Sequence, residues 1–447
     1  MREKHITRGF ALAGVTGLAL ATTFLATPAT ARAEPAAGPS GDDIVSHTNT
    51  LTPKVKALMT GTGVAAEAKA LERYWSPARM KAAKPFEKSP SMTRSGKVAK
   101  PQTQQVVPNG APGGAEPARV SKAPKATGTK GIAPQYSQPN YPSSSPAART
   151  NGKVFFNRNG GSYVCSAAIV NTEGKNAIWT AGHCLAEDEV WSTDVAFVPA
   201  YSDGAAPYGT WYAVDLATPS KWFRDHDWGY DVGAAILQKN SGRRIVDRLG
   251  AQGIKWNQTP KTYKVAAFGY PASPPFDGET LFRADGATLD EGDGTIYMNS
   301  GLTGGSSGGP WLRNFDGNWG HINGHNDFIY TDDPVNMYSP YYGNQVAGLY
   351  KFVRYAGAPK VTGAKPKIAG AVKVGRRVTA KIGKWKPSGT KVTYQWYRNS
   401  TKIKKATGKT YKLVKADKNR QISVKVTGTK TGYAPLTKTS AKTKKVK

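Results

Sequence analysis

Between about residues 150 and 356, apolar residues fall in short runs separated by Gly, Asn and Asp, a texture that predicts strands and turns. The runs are VFF (154–156), YVCSAAIV (163–170), AIWTAGH (177–183), VAFVPAY (195–201), VGAAIL (232–237), VAAFGYP (265–271) and IYM (296–298). Many short strands at regular spacing predict an all-β barrel or sandwich. Asn344 to Val353 closes this region as a predicted helix. Upstream, residues 34–95 carry only patchy apolar spacing (Ile44, Leu51, Val55, Leu58, Leu71, Tyr74, Trp75), which predicts one or two short helices without a core of their own. Residues 96–149 turn to Pro, Gly, Ser and Ala, with PNGAPGG at 108–114 and YPSSSP at 141–146, the composition of a linker. After residue 360, apolar alternation returns in VTYQWYRN (392–399), TYKLVKA (410–416) and QISVKVTG (421–428).

The first 33 residues have the layout of an export signal. Arg2, Lys4 and Arg8 precede an uncharged stretch from Phe10 to Ala26, and Ala31 and Ala33 flank Arg32 as a small-residue cleavage site. No later segment reaches 18 consecutive apolar residues, so no membrane span is expected once the signal is removed, and a secreted, extracellular protein follows. Residues 34–95 then read as a pro-segment or a permanent spacer, with Arg149 one basic position for a cut.

Charge sharpens the division. The 447 residues hold 62 Lys+Arg against 30 Asp+Glu, yet from Lys360 to Lys447 there are 26 basic residues and a single acid, Asp417. Basicity gathered in one terminal block fits an anionic partner such as a cell-wall polymer, or a solvated face. It does not fit a nucleic-acid-binding core, and no base-stacking arrangement can be picked out, so nucleic acid is not expected. Two cysteines exclude a disulfide-dense scaffold and a four-cysteine metal site, and no metal or cofactor is expected.

Three segments carry chemistry: Thr180-Ala181-Gly182-His183-Cys184, Asp231 at the mouth of VGAAIL, and Gly304-Gly305-Ser306-Ser307-Gly308-Gly309-Pro310. Acyl transfer needs a hydroxyl nucleophile, a base and an acid that fixes the base's tautomer, with backbone N–H groups aimed at the oxyanion. The Gly305–Gly309 run also satisfies the G-x-S-x-G elbow of α/β-hydrolases, but that elbow must open a helix, and Gly308-Gly309-Pro310 is a poor opening.

TAGHC, an Asp opening a small-apolar strand, and GxSGGP, in that order, resemble the chymotrypsin-like serine peptidases. The compact spacing and Gly269-Tyr270-Pro271 are similar to the bacterial, glutamyl-endopeptidase-like branch. The resemblance covers about 150–356 and implies two antiparallel β-barrels with the site between them. It implies His183 as base, Asp231 as orienting acid (Asp227 being its rival), Ser307 as nucleophile, and the N–H groups of Gly305 and Ser307 as the oxyanion hole. It also implies a disulfide between Cys165 and Cys184. Ser306 stands where trypsin-like members place an Asp, so activation through a new N-terminal amine is not expected. Gly301 stands where they place the Asp for Lys or Arg side chains. The family's glutamyl pocket maps onto Leu302, His321, Ile322 and His325, without the hydroxyl and histidine it needs. Residues 360–447 resemble a bacterial immunoglobulin-like module, a small β-sandwich with Trp396 as core tryptophan and no intersheet disulfide.

The sequence therefore predicts a secreted serine endopeptidase acting on protein or peptide substrates through an acyl-enzyme. Its parts are a signal peptide, a pro-segment, a linker, a double barrel and a basic module. The rival is a wall-binding protein whose peptidase-like domain is incidental.

Overall fold

The computed structural model describes residues 43–86, 110–120, 141–259 and 261–447. The expected signal peptide at 1–33 lies outside the described residues, as do most of 96–140 and residues 34–42.

Six antiparallel strands close a barrel: Asn151–Arg158, Gly161–Val170, Ala177–Thr180, Gly233–Leu237, Trp211–Pro219 and Thr193–Pro199, the last pairing back to the first. Alternate residues point inward, so Val154, Phe156, Ile169, Ile178, Phe197 and Leu237 fill the barrel. Every residue of Asn151–Arg158 is buried, on both faces. The reason is the segment 43–86. Its helices bring Val55, Leu71, Tyr74, Trp75 and Met80 onto Phe155, Val164, Ala196 and Val198 on the barrel's outside. The indole N–H of Trp75 donates to the Asp194 carbonyl at 2.7 Å. Ile44–Thr48 extends the sheet along Trp211–Pro219. The upstream segment thus has three helices (Pro53–Lys56, Val64–Tyr74, Pro77–Ala82) and shares its core with the barrel.

The second unit pairs two sheets. One runs Phe282–Ala287, Lys264–Gly269, Pro310–Arg313, His321–His325, Gly253–Trp256 and Gly113–Ala115. The other runs Leu289–Asp290, Thr295–Asn299, Asp333–Pro340 and Phe328–Tyr330. They share a core of Val265, Ala267, Phe282, Ile296, Met298, Trp311 and Met337. Its strands meet through packed side chains rather than a closed ladder, which distinguishes it from the first barrel. The helix Asn344–Val353 forms as predicted and buries Val346, Leu349 and Val353 in the seam where Trp179 meets Phe268, Leu312 and Ile322. Gly113–Ala115 falls within the stretch read as linker, because Ala115, Gly114 and Gly113 complete a ladder edge opposite Ile254, Lys255 and Trp256. Arg149 is likewise buried, its guanidinium donating to the carbonyls of Leu249, Ser144 and Val120, so the peptide bond after it is not presented for cutting.

Residues beyond 360 form a three-stranded sheet (Lys367–Ala369, Arg377–Lys381, Thr410–Lys412) against a four-stranded one (Thr401–Lys402, Lys391–Arg398, Ile422–Thr429, Leu436–Thr439). Trp396 is fully buried among Val378, Leu413, Val424 and Val426. Asp417, the block's one acid, is inside, accepting from Arg398 Nε at 2.6 Å, Tyr411 Oη at 2.9 Å and the Val414 N–H at 2.8 Å.

Candidate active site

His183 sits on a single helical turn, Gly182–Leu185, that begins where the strand Ala177–Thr180 ends. That strand pairs with Gly233–Leu237, with Thr180 opposite Gly233. Residues just beyond each strand end therefore meet, and Asp231 faces His183. The Asp231 carboxylate accepts twice from this one residue, Oδ1 from the His183 N–H and Oδ2 from Nδ1, both at 2.8 Å. Gly182 makes the approach feasible, since a Cβ there would lie 2.7 Å from Asp231 Oδ1. Asp227, the rival acid, caps its own turn by accepting from the Gly229 N–H at 3.0 Å.

Cys165 and Cys184 form a disulfide that joins the barrel strand Gly161–Val170 to the histidine turn. On the far side, Arg158 is buried and donates to the His183 carbonyl at 2.7 Å. Its pKa is lowered to about 10 by burial, which the nearby Glu187 only partly offsets. These braces leave His183 little freedom.

Ser307 lies in the turn before the strand Pro310–Arg313, and its carbonyl accepts from the Ser166 N–H at 2.7 Å, tying the turn to the barrel. Gly305 and Gly308 have φ of +87° and +80°. A side chain at Gly308 would strike Thr180 Oγ1 and the Ser166 carbonyl, so the glycine allows the two units to close on each other. Among the described residues, neither the Gly305 nor the Ser307 N–H meets a backbone acceptor. Ser307 Oγ donates to the Asp327 carbonyl at 3.4 Å, and His183 and Ser307 line one cavity of about 240 Å³. Burial favours neutral His183, but the Asp231 carboxylate chiefly, with Asp327 beside it, outweighs burial and pushes its pKa up to about 10.

The rest of the cavity is lined by Phe86, Trp228, Ser273, Thr303, Gly304, Phe328, Ile329 and Met337, among others. None of the five residues named for the pocket from sequence is in that lining. Leu302 is buried in the second unit's core and Ile322 in the seam. His321 faces outward to Glu116, with Nε2 2.8 Å from its carboxylate. His325 is fully buried, with Nδ1 3.0 Å from Tyr342 Oη, and burial lowers its pKa to about 4. Gly301 is exposed in the preceding loop at φ +62°. Beside His183, Phe86 and Asp327 went unread in the sequence. Phe86 belongs to a stretch with no periodicity, and Asp327 lies in no motif. Its carboxyl is buried 3.3 Å from His183 Nδ1.

His183, Asp231 and Ser307 thus come together, in that chain order, where a closed barrel meets a second β unit. This is the arrangement of the chymotrypsin-like class of serine peptidases. Similar solved structures include protease Anisep from Arthrobacter nicotinovorans, 34% identical, with 46% of this chain and 96% of that one covered at a TM-score of 0.44. A thermostable serine protease, AL20, from an extremophilic microorganism is also 34% identical, with 47% and 98% covered and a TM-score of 0.45. A Glu endopeptidase is 18% identical, with 48% and 94% covered and a TM-score of 0.40. No family model and no curated relative matches the chain. At the identity and coverage of the first two, the chain belongs to the chymotrypsin-like serine peptidases.

Proposed function

We propose that the chain is a secreted serine endopeptidase, and the observation that carries this is that His183, held by Asp231, opens onto the same cavity as Ser307. Ser307 Oγ leaves the Asp327 carbonyl, gives its proton to His183 Nε2 and bonds to the scissile carbonyl carbon. The resulting oxyanion is met by the Gly305 and Ser307 N–H groups. His183 then protonates the leaving amine as the C–N bond breaks, and water, activated by the same imidazole, releases the acyl group. Asp231 holds Nδ1 protonated so that Nε2 is the base.

Residues 34–95 act as a pro-segment. In support, Lys84–Pro85 lies along Tyr163–Val164, and the Phe86 N–H donates to the Val164 carbonyl at 3.1 Å, beside His183. Removal of this segment completes the enzyme. The cavity's apolar lining favours an uncharged side chain before the scissile bond. The 360–447 module attaches the enzyme to an anionic wall polymer, a reading supported by its burial of its one acid.

Fluorophosphonate treatment of the secreted protein beside Ser307→Ala, read by intact mass, tests the central claim. Labelling of the unsubstituted protein alone, at Ser307, is expected. A folded, processed protein that takes no label would leave only the wall-binding reading.

A further inference from the structure

Two carboxyl groups, not one, face the inner nitrogen of His183. Asp231 Oδ2 lies 2.8 Å from Nδ1 and Asp327 Oδ1 lies 3.3 Å from it, and both side chains are wholly buried. A single N–H donates well to one of them. It goes to Asp231, which also holds the His183 backbone N–H, while among the described residues neither oxygen of Asp327 is met by a donor. The other groups facing Asp327 do not help. His325 Nε2 is 3.9 Å away, too far to donate, and Tyr342 is engaged with Trp179 and with the other nitrogen of His325. Arg158 serves His183 from the opposite side, through its carbonyl. Two buried carboxyl groups with oxygens within 4.8 Å of each other do not both ionise, and the one lacking donors keeps the proton.

Resting on the peptidase reading, we infer that Asp327 is a positioning residue: a neutral carboxylic acid whose O–H donates to Asp231. Asp231 then has three donors, which fix the plane of its carboxylate and through it the imidazole. The Asp327 backbone carbonyl meanwhile accepts from Ser307 Oγ, so one residue steadies both ends of the relay. The opposing pulls on the pair agree in direction. Burial and the neighbouring carboxylate hold Asp327 well above the usual range, while His183 outweighs burial to hold Asp231 below it.

Two measurements on the full secreted chain test this. Infrared spectra of Ser307→Ala with and without Asp327→Asn report the carboxyl without needing turnover. A protonated-carboxyl C=O band lost in the double variant is expected, and its absence from Ser307→Ala would overturn the inference whether or not the chain is a peptidase. The pH profile of fluorophosphonate labelling then reports the role. Asp327→Asn, a neutral donor of the same shape, is expected to stay within about threefold of the unsubstituted rate with its acid limb in place. Asp327→Ala is expected to lose about tenfold or more. An acid limb lowered by about one unit in Asp327→Asn would mean that Asp327 is an anion, and an unimpaired Asp327→Ala would mean that it positions nothing.

Discussion

Phe86 stacks its ring on the imidazole of His183, with 6.1 Å between centroids and 23° between planes. It is clamped there by the Arg158 guanidinium 4.6 Å from its ring and by Tyr163 edge-on at 5.0 Å. The strand edge it borders, Tyr163–Val164, continues directly into Cys165 and the disulfide to the histidine turn. A peptide laid along that edge and Phe86 exclude each other.

Phe86→Ala is therefore expected to speed fluorophosphonate labelling of the uncut chain. Withdrawing a half-buried phenyl ring forfeits about 1.5 kcal/mol of burial, which is roughly tenfold in occupancy. Labelling rates of the two uncut proteins check this. A slower Phe86→Ala would show that the ring shapes the cleft instead of filling it.

In the proposed mechanism the raised pKa of His183 sets the pH range of activity. The base works only when neutral, so kcat/KM on a peptide substrate is expected to rise with pH, its acid limb lying above the ordinary histidine value of about 6.5. The sign for stability is opposite. A folded pKa above the unfolded one stabilises most below pH ~6.5 and is lost as pH climbs toward about 10. The melting temperature of Ser307→Ala should thus fall over the range in which the enzyme's activity grows, and flat melting from pH ~7 to ~10 would contradict the assignment.

Asp417 is the internal anchor of the basic module. Asp417→Ala removes the acceptor of three donors and strands the partly exposed Arg398, a loss of about 2 kcal/mol once solvent screening is allowed for. Calorimetry is expected to show the module melting at lower temperature, with Ser307 labelling intact. Loss of labelling would mean that the catalytic units depend on the module.

Much of this fold was legible because its strands are short apolar runs bounded by turn residues. The seven predicted runs all fall on strands, though AIWTAGH gives way to a helical turn at Gly182. The strand Trp211–Pro219 escaped because WYAVDLATP mixes charge and proline into a run whose two edges pair with three different strands. His321–His325 escaped because HINGH has no apolar alternation, being buried on all sides by its neighbours. Residues 43–86 showed too little apolar surface for a core, which is correct for the segment alone. Their partner is the barrel's outer face, and no local pattern announces a contact across 119 positions such as Trp75 to Asp194. The residues of the proposed triad stood out because the glycines their backbone needs lie beside them in sequence. The pocket did not, because its walls come from six separate stretches of chain.

With Asp417 turned inward, the outside of the C-terminal module carries charge of one sign only. Two such modules repel within a Debye length, about 8 Å at physiological ionic strength. On the polyanion of the proposed attachment, the lysines that would draw each copy in would also hold the next one off. Crowding on such a surface limits itself, and added salt loosens the grip and the spacing together.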